Sequence, residues 1–224
     1  MYEIVTIETP GLGDRSYLIH DGEAAMVVDP QRDIDRVLHV AETSGVRVTH
    51  VLETHIHNDY VTGGLALARA AGAAYVVAAS EDVDFSRTAV GDGDQVSAGR
   101  LTVTAMATPG HTPGHLSYVL SAGAAGQVAV FTGGSMLFGA VGRTDLIGAD
   151  QTEPLTRAQY RSVRRLAGQL PDQVAVYPTH GFGSFCSATP TSGTSSTIGT
   201  ERRVNVALTS DENTFVKELM AGLG

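Results

Sequence analysis

The sequence predicts a mixed α/β sandwich, two layers of short strands with helices on the outside. Three observations carry that prediction. Short apolar segments recur along the chain between Gly, Pro and Asp turns; helical periodicities are interspersed among them; and 42% apolar against 17% charged residues supplies material for a sizeable core.

Taken in order, Ile4–Glu8, Ser16–His20 and Ala24–Asp29 are apolar runs broken by Gly11-Leu12-Gly13 and Asp21-Gly22, the punctuation of consecutive strands. Ile34, Val37, Leu38 and Ala41 then share one face of a helix over 33–43 that should stop near Gly45. Val48–Glu53 reads as a strand. Gly63–Ala71 reads as a helix that Gly72 is placed to end. Tyr75–Ala78 is a buried strand, and 81–99 is a polar, Asp- and Gly-rich connector without a clear period. Leu101–Ala107 alternates as a half-buried strand does, and Leu116–Leu120 and Gln127–Thr132 continue the sheet.

The most polar helix spans Glu153–Leu170. Leu155, Tyr160, Val163 and Leu166 form its apolar stripe, and Arg157, Arg161, Arg164 and Arg165 a solvated face. Val174–Tyr177 is the last good strand. A loop-rich stretch follows from about 178 to 200, within which 191–197 reads as a flexible loop or boundary, and 211–223 returns to a helical period. The motifs run from end to end, so a single domain over 1–224 is expected.

A formal net charge of −9 argues against a nucleic-acid or anionic-membrane partner. No apolar run approaches the ~18–20 residues of a membrane span, and Met1-Tyr2-Glu3-Ile4 opens a strand-like segment where a leader would be basic and then apolar. The single cysteine, Cys186, cannot form an internal disulfide. A cytoplasmic protein is expected.

Chemistry concentrates in the histidines. After the Val48–Glu53 strand comes Thr54-His55-Ile56-His57-Asn58-Asp59-Tyr60, where two imidazoles and a carboxylate can be aimed at one point. After Leu101–Ala107 comes Pro109-Gly110-His111-Thr112-Pro113-Gly114-His115, whose Pro-Gly turns fix His111. After Val174–Tyr177 comes Pro178-Thr179-His180-Gly181. Converging strand ends make a metal site the reading. His20, His39 and His50 stay outside it.

These motifs, with Asp29-Pro30 and Phe131-Thr132-Gly133-Gly134, occur in the order of the metallo-β-lactamase superfamily, which the chain resembles from about residue 4 to 185. Gly142-Arg143-Thr144-Asp145 looks like the persulfide dioxygenase branch, and the segments 54–64 and 181–186 resemble its bacterial rhodanese-fused members. The resemblance implies a four-layer αββα sandwich. It also implies a mononuclear non-haem iron centre that oxidises a low-molecular-weight persulfide, such as glutathione persulfide, to sulfite, with a rhodanese domain as partner, fused or separate. In that branch iron is held by two histidines and one carboxylate, at positions that are here His55, His111 and Gly134.

Glycine has no donor, so the chain recruits another ligand, binds metal through two histidines and water, or binds none. Restoring the carboxylate by Gly134→Asp is expected to raise iron affinity if the pocket is otherwise intact. His57, Asp59 and His180 are additional candidate donors, Asp59 having capping of a helix from about Val61 as its alternative. Arg143 is a candidate for a substrate anion or a structural pair with Asp145, and Tyr60 donates its phenol to substrate or packs. Cys186 is a buried small side chain or a sulfur-handling thiol. Iron(II) is the expected cofactor and zinc the alternative. Two rival functions follow: a zinc-dependent thioester hydrolase of the glyoxalase II type, disfavoured by Tyr60 and Gly134, and a metal-free domain presenting persulfide to a rhodanese. Oligomeric state is left open.

Overall fold

The computed structural model describes residues 1–188, 191 and 193–223. Its first sheet runs in chain order through β1 (Glu3–Thr9), β2 (Asp14–His20), β3 (Ala24–Val28), β4 (Arg47–Leu52), β5 (Ala74–Ala78) and β6 (Thr88–Val90). β1 to β3 are an antiparallel meander, and β3 to β6 are parallel. Parallel neighbours need crossovers, and α1 (Ile34–Thr43) and α2 (Gly64–Ala71) provide two of them. The second sheet contains β7 (Gln95–Ala98), β8 (Leu101–Ala107), β9 (Leu116–Ala122), β10 (Gln127–Gly133), β11 (Ala175–Pro178) and β12 (Ser196–Thr197), in spatial order β12-β11-β10-β9-β8-β7.

Period-two alternation divides the apolar side chains between layers. Tyr17, Ile19, Met26, Val28 and Leu52 of the first sheet meet Leu101, Val103, Tyr118, Leu120 and Phe131 of the second in the central core. The intervening residues Leu18, Val27 and Val51 face outward to Val37 and Ala41 of α1 and Leu67 of α2. On the far side, Val119, Val130 and Val176 pack under Val163 and Leu166 of α3 (Ala149–Gln169), with Phe215 and Leu219 of a C-terminal helix. That C-terminal helix is α6 (Glu212–Gly222), which follows α4 (Ile198–Val204) and α5 (Val206–Thr209). The layers are α, β, β, α, as expected.

Three local expectations change. The polar connector 81–99 carries β6 and β7, two edge strands too short to show a period. The stretch taken as loop to 200 contains β12 and the start of α4, whose Thr197 cap accepts from Thr200 N. Of the segment 191–197, residue 192 lies outside the described residues. Finally, the long helix starts one turn early, at Ala149, and carries Pro154 inside it. Its arginines are not simply solvated: Arg157 pairs with Glu153 and Glu212, and Arg165 with Asp92. Gly45 and Gly72 end α1 and α2 at positive φ as predicted. No helix among the described residues is long and apolar enough to cross a membrane.

The site segments all lie at strand ends: Asp29 after β3, Glu53 to Tyr60 after β4, Thr108 to His115 between β8 and β9, Gly134 after β10 and His180 after β11. The sheets therefore deliver them to one edge of the sandwich.

Candidate metal centre

Asp29 organises the site. It sits in the left-handed region at φ 49°, a conformation that costs a non-glycine residue ~1–2 kcal/mol. Its contacts overdetermine that geometry. Its N–H donates to Leu52 O, and its carboxylate accepts from Thr54 N at 2.7 Å, Thr54 Oγ1 at 2.6 Å and Thr179 Oγ1. Burial pushes this carboxyl up. The facing His57 and the three donors more than offset it and hold the pKa at about 2, so Asp29 is a carboxylate.

That ionisation assigns the imidazole protons outward from it. Thr54 has one hydroxyl proton, given to Asp29, so Thr54 Oγ1 must accept from His55 Nδ1 at 2.8 Å. His55 Nε2 is then a lone pair. His111 Nδ1 faces the Arg143 carbonyl at 2.7 Å and must donate to it, which leaves Nε2 as a lone pair too; that atom is buried and has no partner. His180 Nδ1 is crowded by Asp14 Oδ1 at 2.9 Å and Asp59 Oδ2 at 3.3 Å, so it carries the proton and Nε2 points to the site. His57 turns Nε2 toward Asp29 and Glu53, at 3.3 and 3.4 Å, and its buried Nδ1 is unpartnered.

The arrangement fits a cation. His55 Nε2 and His180 Nε2 face each other at 3.2 Å, two lone pairs that need a positive centre between or beside them. Donor atoms of His55, His57 and His180 lie within 4.8 Å of one another, as do those of His111, His180 and Cys186. His180 is common to both groups. Burial holds His55 and His111 far below the ordinary imidazole pKa, as do neighbouring imidazoles, and both are neutral and ready to ligate. For His57 burial acts in the same direction, but Asp29 and Glu53 outweigh it and raise it to about 10. Its Nδ1 proton is one a metal must displace.

The structure thus brings together His55, His57, Asp59, His111, His180 and Cys186. Asp59 caps no helix, correcting that alternative: α2 begins at Gly64, with Gly63 before it. Its carboxylate instead accepts from Ser184 Oγ at 3.1 Å beside His180. Tyr60 stacks on His57, centroids 4.3 Å apart, and its hydroxyl donates to Asp29 O. Arg143 makes a two-pronged pair with Asp145, at 2.7 and 2.6 Å, and lies over the exposed Phe185 ring. Cys186 is buried, and its thiol is raised by burial and the neighbouring Asp59.

Gly134 has a definite packing reason. A Cβ there would stand 2.2 Å from His111 Cδ2, so the His111 ring occupies the space of any side chain at 134. The expected gain from Gly134→Asp is therefore corrected: a carboxylate there displaces His111.

Four supporting residues escaped the sequence reading. Glu53 carries no motif, yet its buried carboxyl accepts from Thr62 Oγ1 and Tyr75 OH behind His57. Thr54 is recognisable only through its Asp29 partner. His115 accepts the Gly134 N–H at 3.1 Å on Nε2 and holds Thr108 through Nδ1, so it is a strut of the Gly133-Gly134 turn. Gln159, a polar residue inside the apolar stripe of α3, accepts from His111 N at 2.7 Å and donates to Ser135 O. That break in the stripe was the available signal.

Comparison with known proteins agrees with the fold. A family model described as the metallo-beta-lactamase superfamily matches residues 10–180. The human mitochondrial persulfide dioxygenase ETHE1 is 30% identical over 210 residues, covering 90% of this chain and 74% of that protein. A metallo-beta-lactamase structure from Staphylococcus aureus superposes with TM-score 0.90 at 29% identity, over 98% of this chain and 67% of that one. ETHE1 from Myxococcus xanthus superposes with TM-score 0.82 at 28% identity, over 97% and 90% of the two chains.

Proposed function

The chain belongs to the metallo-beta-lactamase superfamily, and from that premise we propose that it is a persulfide dioxygenase, oxidising a low-molecular-weight persulfide such as glutathione persulfide to sulfite with dioxygen. The observation that supports this most directly is the donor set, buried imidazole nitrogens whose second nitrogens are each held by an oxygen, in a chain 30% identical to a persulfide dioxygenase. His55, His57, His111 and His180 are the residues that would hold the metal. Iron(II) suits such ligands, and zinc is the alternative. Bound there, iron would supply the positions at which persulfide sulfur and dioxygen meet.

The remaining work falls to the protein. Asp29, facing His57 directly and reaching His55 through Thr54, fixes the orientation of the two rings; outer partners of this kind set ligand basicity and direction. Burial of the donors keeps bulk water from competing. Persulfide, dioxygen and one water give thiol, sulfite and two protons, so an acceptor is required. Asp59 Oδ1, buried without a partner beside His180, is placed to take one. At the rim, the Arg143 guanidinium over Phe185 is the group for the anionic end of the thiol, and a rhodanese is the proposed partner in sulfur exchange.

The test is anaerobic reconstitution with Fe(II), elemental analysis, and oxygen uptake on glutathione persulfide with a glutathione thioester as control. About one iron per chain and sulfite formed in step with oxygen consumed are expected. Thioester turnover with zinc and no oxygen uptake would establish the hydrolase instead. Absence of both activities and of bound iron would leave a binding domain.

A further inference from the structure

We propose that Cys186 is a metal ligand, its sulfur serving on the His111–His180 side of the centre in place of the absent carboxylate at 134. The proposal rests on the metal centre described above. Its sulfur lies within 4.8 Å of donor nitrogens of both His111 and His180, and the His111 nitrogen left free by the Arg143 carbonyl is Nε2, buried and unpartnered. That buried lone pair with nothing to bind is a second, independent sign of a ligand at the His111 ring.

Backbone pairing, not loop freedom, sets the position of Cys186. The Arg143 peptide holds both donors: its carbonyl accepts from His111 Nδ1 at 2.7 Å, and its N–H donates to Cys186 O at 2.9 Å. Ala188 N donates to Val141 O, and Ser187 forms an isolated bridge with Gly142, so the turn that carries Cys186 is pinned against 141–143. Cys186 N donates to Ser184 Oγ, the hydroxyl that also reaches Asp59. Gly142 permits the approach, because a Cβ there would stand 2.4 Å from Gly134 O and 2.7 Å from His111 Nδ1. A carboxylate at 134 and the present place of the His111 ring are mutually exclusive. With that position closed to a carboxylate, the sulfur that shares a 4.8 Å cluster with His111 and His180 is the donor left to complete the set. On binding, the metal–sulfur bond forms as the S–H proton leaves to solvent.

Cys186 is the single cysteine of the 224 residues, which makes spectroscopy of the whole chain specific for it. Titration of the metal-free chain with Co(II) under anaerobic conditions is expected to give visible ligand-field bands together with a near-ultraviolet sulfur-to-cobalt band. Cys186→Ser should keep the visible bands, lose the near-ultraviolet band and weaken affinity about tenfold or more, since loss of even an outer partner costs that much. X-ray absorption of the zinc-loaded natural chain needs no variant, and should show one sulfur neighbour at about 2.3 Å. Visible bands without the sulfur band, or a zinc shell of light atoms alone, would overturn the ligand assignment while leaving the histidine centre standing. Failure to take up Co(II) at all would overturn both.

Discussion

Gly134 limits what the centre can hold. With His111 Cδ2 2.2 Å from where its Cβ would be, Gly134→Asp should weaken metal binding, by about tenfold or more if His111 is displaced. A competition titration with a chromophoric chelator measures this, and tighter binding in the variant would refute the packing argument. His111 itself is seated by the Arg143 carbonyl and Gln159, so His111→Ala should abolish uptake by the His111–Cys186 side without altering the Thr54–Asp29 contacts. At this scale the sequence revealed ligand types and the empty side chain at 134. It did not reveal tautomers, because the partner that assigns each proton, Thr54 for His55 and Arg143 O for His111, is identified only by where the backbone goes.

Helix α3 is the element that ties the second sheet to the site. Its Gln159 is fully buried, accepts from His111 N and donates to Ser135 O, and it therefore fixes both sides of the Gly134 turn. Gln159→Leu keeps the bulk and deletes both bonds. The variant should lose about 1–3 kcal/mol of stability, the cost of leaving a buried N–H and a buried carbonyl unpaired, and bind metal more weakly. Urea denaturation and a metal titration read the two effects, and an unaffected titration would confine Gln159 to stability. The apolar stripe of α3 was legible from its spacing. Its start at Ala149 was not, since Pro154 reads as a first-turn residue and tertiary packing extends the helix behind it. Strands β6 and β7 were illegible for a related reason: at three and four residues they have too little periodicity, and their pairing partners define them.

Over the whole molecule, the buried histidines make stability depend on pH in two directions. His55 and His111 have pKa values well below the usual 6.5, and His115 is lowered to about 3, chiefly by burial. The unfolded chain binds more protons at these sites below pH ~6.5, so their contribution is present above that value and lost as pH falls. His57 is raised to about 10: its contribution is present below pH ~6.5 and lost as pH rises toward about 10. The metal-free chain should thus be most stable near pH 6.5, as chelator-treated denaturation midpoints from pH 5 to 10 would show. His57→Gln should flatten the alkaline side, and a flat natural profile between 7 and 10 would refute the assignment. Metal at a hundred times its dissociation constant should add about 2.7 kcal/mol, seen as a rise in melting temperature that chelation reverses. The sequence by itself determined the layered α/β architecture and the strand ends that carry histidine, because apolar periodicity and turn residues are local properties of the chain. Only the tertiary structure decided which donors converge, since His180 joins two groups that arrive from different sheets, and since the space for a ligand at 134 is filled by a ring that lies 23 positions earlier in the chain.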